Sequence, residues 1–191
     1  AMEPLLERPG AFVLGSNDYF APTPKNPARY LTSRHADAPA RRSTLPVKAL
    51  RDGLGSKGWA DLNNARRIMR MGDHDVELVG VNDPHIGYDR YAKVAGPAST
   101  DVALTMGLVH APYQRVLDAM VGDGASVVLA GHTHGGQFWP WNHFVRLQQP
   151  FTAGLHKLKN LWVYTSRGTG YWGPPKRHFR AEITLLTLRR A

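Results

Sequence analysis

The stretch from Ala103 to Gly131 constrains the fold of this chain more than any other. Residues 103–109 (Ala-Leu-Thr-Met-Gly-Leu-Val) form an apolar run that reads as a buried strand and ends at His110. After Pro112, residues 113–120 set polar Gln114, Arg115 and Asp118 against apolar Val116 and Leu117, a helical pattern. A second apolar run, 126–130, leads straight into Gly131-His132-Thr133-His134-Gly135-Gly136-Gln137. A strand–helix–strand unit of this length implies two parallel strands joined by a right-handed crossover. In open α/β sheets, ligands sit beyond the carboxyl ends of the strands. His110, His132 and His134 are therefore expected to converge on one crevice. Histidine is the commonest metal-ligating side chain, and glycines let the backbone turn tightly beside a bound group. The loop reads as a metal site.

The remainder of the chain fits around this unit as a single domain, residues 1–191. An early strand over 11–14 ends in Gly15-Ser16-Asn17-Asp18, and a Pro-rich surface excursion follows (Pro22, Pro24, Pro27). Pro46 to Leu54 is expected to be helical, with Thr44 as N-cap and Gly55 ending it. Residues 65–71 and 76–81 read as a hairpin across Gly72-Asp73-His74-Asp75. Residues 161–165 and 181–188 read as late strands.

Composition narrows the chemistry. With no cysteine, disulfides and thiolate zinc sites are excluded, so any metal is held by nitrogen and oxygen. Twenty-four Lys+Arg against 15 Asp+Glu gives a net charge of +9. That balance favours an anionic partner, a phosphate ester or an acidic membrane surface. The densest basic clusters are Arg41-Arg42 and Lys176-Arg177-His178-Phe179-Arg180, and no nucleic-acid motif accompanies them, so specific nucleic-acid binding is not expected. No run approaches the ~20 apolar residues of a membrane span, and no signal segment is visible. The expected location is cytoplasmic or peripheral to a membrane. Ala1-Met2-Glu3 precedes the first strand by only a few residues and reads as a remnant joined to internal sequence, so the chain is expected to be part of a longer protein.

The loop 131–137, preceded by Leu108-Val109-His110-Ala111-Pro112, resembles the calcineurin-like metallophosphoesterases, in particular their bacterial branch with a Gly-His-Thr-His-Gly-Gly-Gln loop. Gly80-Val81-Asn82-Asp83-Pro84-His85, Ser166-Arg167-Gly168-Thr169-Gly170 and Glu182-Ile183-Thr184-Leu185-Leu186-Thr187-Leu188 resemble the same branch, so the likeness runs from residue 11 onward. It implies an α/β fold, a four-layer αββα sandwich, here N-terminally incomplete. It implies two divalent metal ions that activate water or hydroxide against a phosphate ester. By this resemblance His110 and His132 bind one metal and His134 the other. Arg167, in a Gly-rich loop, is a candidate for bidentate contact with a substrate phosphate. The aromatic stretch Phe138-Trp139-Pro140-Trp141, and Trp172, are candidates either for a substrate wall or for packing under a loop.

Two departures from the family pattern limit that expectation. The family's middle motif reads Gly-Asn-His-Asp/Glu, whereas here it is Gly15-Ser16-Asn17-Asp18. Ser16 then replaces the metal-binding Asn, and Asn17 replaces the His near the leaving group. Asn17 can offer a carbonyl oxygen to a metal, but an amide does not act as a general acid. The second departure is upstream, where the family carries Asp-x-His and Gly-Asp-x-x-Asp. Only 14 residues precede Gly15, and none is Asp or His. Asp83-Pro84-His85 imitates Asp-x-His but matches a different family segment. Two dications close together need anionic ligands to offset their repulsion. The metal set legible here is Asn17, His110, His132 and His134, which supplies none. At most one divalent transition ion (Mn, Fe, Zn or Ni) is expected to bind tightly, with weak hydrolysis or none. The alternative is a non-catalytic fragment or degenerate domain that binds an anionic ligand or a membrane surface.

Overall fold

A computed structural model of the chain describes residues 3–21, 44–136, 151–169 and 181–189. The Pro-rich excursion after residue 21, both basic clusters, the aromatic stretch 138–141 and Trp172 lie outside these residues. The centre of the molecule is a six-stranded mixed sheet, ordered β3-β4-β5-β6-β8-β7. Its strands are β3 (Ala65–Met71), β4 (His74–Val81), β5 (Leu104–Val109), β6 (Val127–Ala130), β7 (Gly154–Leu158) and β8 (Leu161–Thr165). β3–β4 and β7–β8 are antiparallel hairpins at the two edges. Between them β4, β5, β6 and β8 run parallel. Helix α4 (Gln114–Gly122) makes the crossover from β5 to β6.

The parallel strands explain their own sequence. Both faces of such a sheet are covered, so its strands are apolar on both sides. On one face Val79, Val81, Val109, Val128 and Val163 pack against Val116, Leu117 and Met120 of α4. α4 lies close because β5 carries Gly107 at the crossing. A Cβ there would sit 2.5 Å from Met120 Sδ. On the opposite face Val76, Leu78 and Met106 pack with Ala60 and Leu62. That side carries a small parallel pair, β1 (Ala11–Phe12) and β2 (Ala60–Asp61). Leu104, Leu108, Val127 and Leu129 of the central strands are only half-buried there.

The hairpin over 65–81 and the strand–helix–strand unit form as their patterns predict. Three expectations are corrected. The helix after Pro46, α3, spans Val47–Ser56 and runs through Gly55. Thr44 does not cap it; Thr44 bridges Phe20 instead, because the chain there is extended beside Tyr19. Residues 181–189 form no strand, since their backbone has no ladder partner among the described residues. Ile183 is 78% exposed and Leu185 93%.

One polar cluster ties the first edge to the centre. Arg66 on β3 meets Glu77 on β4 (Nη2–Oε1 2.9 Å) and also donates to the carbonyls of Val94, Gly96 and Pro97. Glu77 Oε2 accepts from the Ser99 amide (3.0 Å) and the Thr105 hydroxyl (2.8 Å). Burial alone would raise the Glu77 carboxyl, but these donors together hold it below its ordinary value. Its stabilisation is therefore present above the ordinary value of 4.5 and is lost as pH falls through the lower folded value. Glu77→Gln is expected to cost about 2–3 kcal/mol at neutral pH. In urea unfolding the gap between wild type and variant should narrow below pH 4.5; a gap independent of pH would contradict this account.

Candidate metal centre

Four parallel strands end in one row. Val81 pairs with Val109, Val109 with Ala130, and Ala130 with Thr165. Four of the segments singled out in the sequence leave the sheet at this row. Beyond β4 comes Asp83-Pro84-His85, beyond β5 His110, beyond β6 the His132–His134 loop, and beyond β8 Ser166-Arg167-Gly168. The Gly131 amide donates to the His110 carbonyl at 2.9 Å and so extends the β5–β6 ladder one step past the strands.

His110 and His132 face each other across that step. His110 Nε2 lies 3.2 Å from His132 Nδ1. Two nitrogens bound to one tetrahedral ion at ~2.05 Å would be about 3.3 Å apart. Burial drives the His110 imidazole down to about 4 despite the opposing charge of Asp18. Burial, together with His110, His85 and His134, also drives His132 well below its ordinary value. Both rings are therefore neutral near pH 7, the form that binds a metal. The backbone is held at a cost, because His132 (φ 68°) and His134 (φ 49°) both occupy the left-handed region.

Gly15 supports His110 from the side. A Cβ on Gly15 would lie 2.3–2.5 Å from three atoms of the His110 ring. The turn is fixed by Asp18, whose Oδ2 accepts from the Gly15 amide at 2.8 Å and whose amide donates to the Gly15 carbonyl at 2.9 Å. Ser16 is buried and Asn17 is exposed on α2 (Ser16–Tyr19). Around the pair, His85 packs against His132 with ring centroids 4.5 Å apart. Its Nδ1 lies 3.0 Å from the Tyr113 hydroxyl. His134 Nδ1 lies 3.0 Å from the Arg167 carbonyl. Asp83 is fully buried; its Oδ1 accepts from the His85 amide, and its Oδ2 has no hydrogen-bond partner among the described residues. Burial raises this carboxyl, against the pull of the His85 and Ser16 amides and the His85 ring.

The contacts join His85, His110 and His132 in one set and His134 and Arg167 in another; Asn17 is in neither. Among the described residues no group of three His, Asp or Glu side chains could hold a metal ion as it stands.

Several known proteins are similar to this chain in sequence. The chain is 48% identical over 122 residues to an uncharacterized metallophosphoesterase of Campylobacter jejuni, covering 60% of this chain and 32% of that protein. It is 30% identical over 182 residues to a bovine transmembrane protein with a metallophosphoesterase domain, covering 94% of this chain and 38% of that one. The chain belongs to the calcineurin-like metallophosphoesterases. Phosphodiesterase YaeI of Escherichia coli is a further relative of this metallophosphoesterase chain, 29% identical over 71% of the chain and 49% of its own length. The chain spans about a third of the length of the first of these relatives. No protein-family model and no solved structure matches it. The mixed sheet with α4 on one face and β1–β2 on the other accords with the family's α/β sandwich. No helix among the described residues is long and apolar enough to cross a membrane.

Sequence reasoning underweighted His85 and Asp83. Their signal was positional: β4 is parallel to β5, so its carboxyl end belongs to the same row. It also missed Asp18 as a neighbour of His110. Two substitutions separate scaffold from site. Gly15→Ala is expected to displace the His110 ring and to weaken Ni²⁺ binding at least tenfold by calorimetry. His132→Gly removes the left-handed strain at φ 68°, so the melting temperature should hold or rise while metal binding is lost. Unchanged Ni²⁺ affinity in either variant would contradict this description.

Proposed function

We propose that this chain is the larger, C-terminal part of a metallophosphoesterase domain whose parent hydrolyses phosphate mono- or diesters with divalent metal. The observation that supports this most directly is the neutral His110–His132 pair at 3.2 Å, set at the carboxyl ends of parallel strands in a member of this family. A bound divalent transition ion supplies Lewis acidity toward a phosphoryl oxygen and makes water acidic enough to react near neutral pH. His110 and His132 would hold the first ion, and His134 would contribute to the second position. Arg167, one guanidinium nitrogen of which lies 3.6 Å from Glu182, is read as the contact for a substrate phosphate. Asn17 would reach a metal only through its amide oxygen after movement of α2.

With three imidazoles and an amide, the second position lacks negative charge to offset its neighbour. The chain by itself is therefore expected to take up one ion of Mn, Fe, Zn or Ni tightly and to hydrolyse esters poorly. Elemental analysis after gel filtration should give about one ion per chain, falling well below that in His110→Ala and His132→Ala. Turnover of a chromogenic phosphodiester in Mn²⁺ should be barely above background. Two ions per chain with robust turnover would contradict the reading.

A second reading, an anionic-surface binder without catalysis, draws on the net charge of +9 and on exposed Ile183 and Leu185. It predicts salt-sensitive binding to vesicles containing acidic lipid, with no metal uptake.

A further inference from the structure

The C-terminal segment holds the active loop from behind. Glu182 is tied to the loop after β8 at four points. Its amide donates to the Gly168 carbonyl at 3.0 Å. Its Oε1 accepts from the Arg167 amide at 2.8 Å and from the Tyr164 hydroxyl at 3.0 Å. Its Oε2 lies 3.6 Å from the Arg167 guanidinium. Tyr164 also shares a hydrogen bond with Thr184, two residues further on. These ties hold the Arg167 amide and the Gly168 carbonyl, on either side of the peptide that follows Arg167. The carbonyl of that residue faces His134 Nδ1 at 3.0 Å. Gly168 lies against the same ring, with its Cβ position 3.5 Å from Cε1 and Nδ1.

A carbonyl oxygen only accepts, so a hydrogen bond from Nδ1 requires the proton on Nδ1 and leaves Nε2 as the unprotonated nitrogen. Ligating histidines are commonly oriented in this way, through the ring nitrogen that does not touch the metal. His134 needs such a hold, because its own φ of 49° lies in a strained region.

We propose that Glu182 is a positioning residue for His134: by clamping the Arg167 peptide it selects the Nδ1–H tautomer and fixes the direction of the ring. The inference rests on the reading of His134 as a metal-site residue, but its test does not require a metal. Residue 182 lies in a segment with no strand partners among the described residues, so the clamp is made by the Glu182 carboxylate and amide, with the Ser166 hydroxyl accepting from the Gly168 amide at 3.0 Å, rather than by a ladder.

Nitrogen-detected imidazole spectra of the metal-free chain read the tautomer directly. The wild type is expected to show His134 as Nδ1–H. Glu182→Ala should shift most of the population to Nε2–H while the His156 signals stay in place. Glu182→Gln keeps an oxygen acceptor for the Arg167 amide and should retain the wild-type tautomer. Zn²⁺ affinity should fall about tenfold in the alanine variant and stay within about twofold in the glutamine variant. If Glu182→Ala does not fold, Glu182→Asp, one methylene shorter, is the milder probe and should shift the same way. Nδ1–H retained in the alanine variant (or in the aspartate variant used in its place), lost in Glu182→Gln, or absent from the wild type would overturn the proposal. A tautomer that responds in a chain that takes up no ion would leave the clamp standing and remove the metal reading. Zn²⁺ uptake with an unmoved tautomer would do the reverse.

Discussion

The hydrogen bond from the Gly131 amide to the His110 carbonyl, 2.9 Å long, carries the rest of the site. It continues the β5–β6 ladder beyond the last paired residues, Val109 and Ala130. Two loops that would otherwise diverge stay in register for one more residue. Their side chains, His110 and His132, therefore meet at 3.2 Å. Other features shape the pair from its sides: the Gly15 turn against the His110 ring, the left-handed backbone at His132, and His85 packed against it.

Electrostatics then decide what the pair can hold. Burial keeps both imidazoles neutral, so they are donors without charge. The carboxylates nearby are committed elsewhere or withdrawn. Asp18 holds the Gly15 amide, and Asp83 is buried with burial favouring its neutral form. A neutral pair accommodates one dication readily; a second would meet the first with little to screen it. On the proposed reading, this asymmetry suits the pair to one ion rather than two.

Much of this was legible in the sequence, for physical reasons that can be named. Runs such as 103–109 and 126–130 are apolar throughout because both faces of a parallel strand are buried, and the helix between them fixes their polarity. That alone placed His110 beside the loop 131–137. What the sequence hid came from contacts without a local pattern. The strand β7 and the two-residue β2 are too short or too mixed to show a period. Residues 181–188 have a strand's composition, yet they form no strand and leave their leucines exposed, since a ladder needs a partner as well as a pattern. His85 was hidden because its role follows from the register of β4 on β5 and not from its neighbours. Glu182 was hidden for the same kind of reason: it acts across the fold on the Arg167 peptide.

The central claim is that His110 and His132 share one ion while no second ion sits beside it. X-ray absorption at the metal edge of the Zn²⁺-loaded chain tests this most directly. The account predicts a first shell containing about two imidazole nitrogens at ~2.0–2.1 Å, with the outer-shell signature of histidine rings and no metal–metal scattering. A shell of oxygen alone, or a metal–metal vector at ~3.5–4 Å, would contradict it.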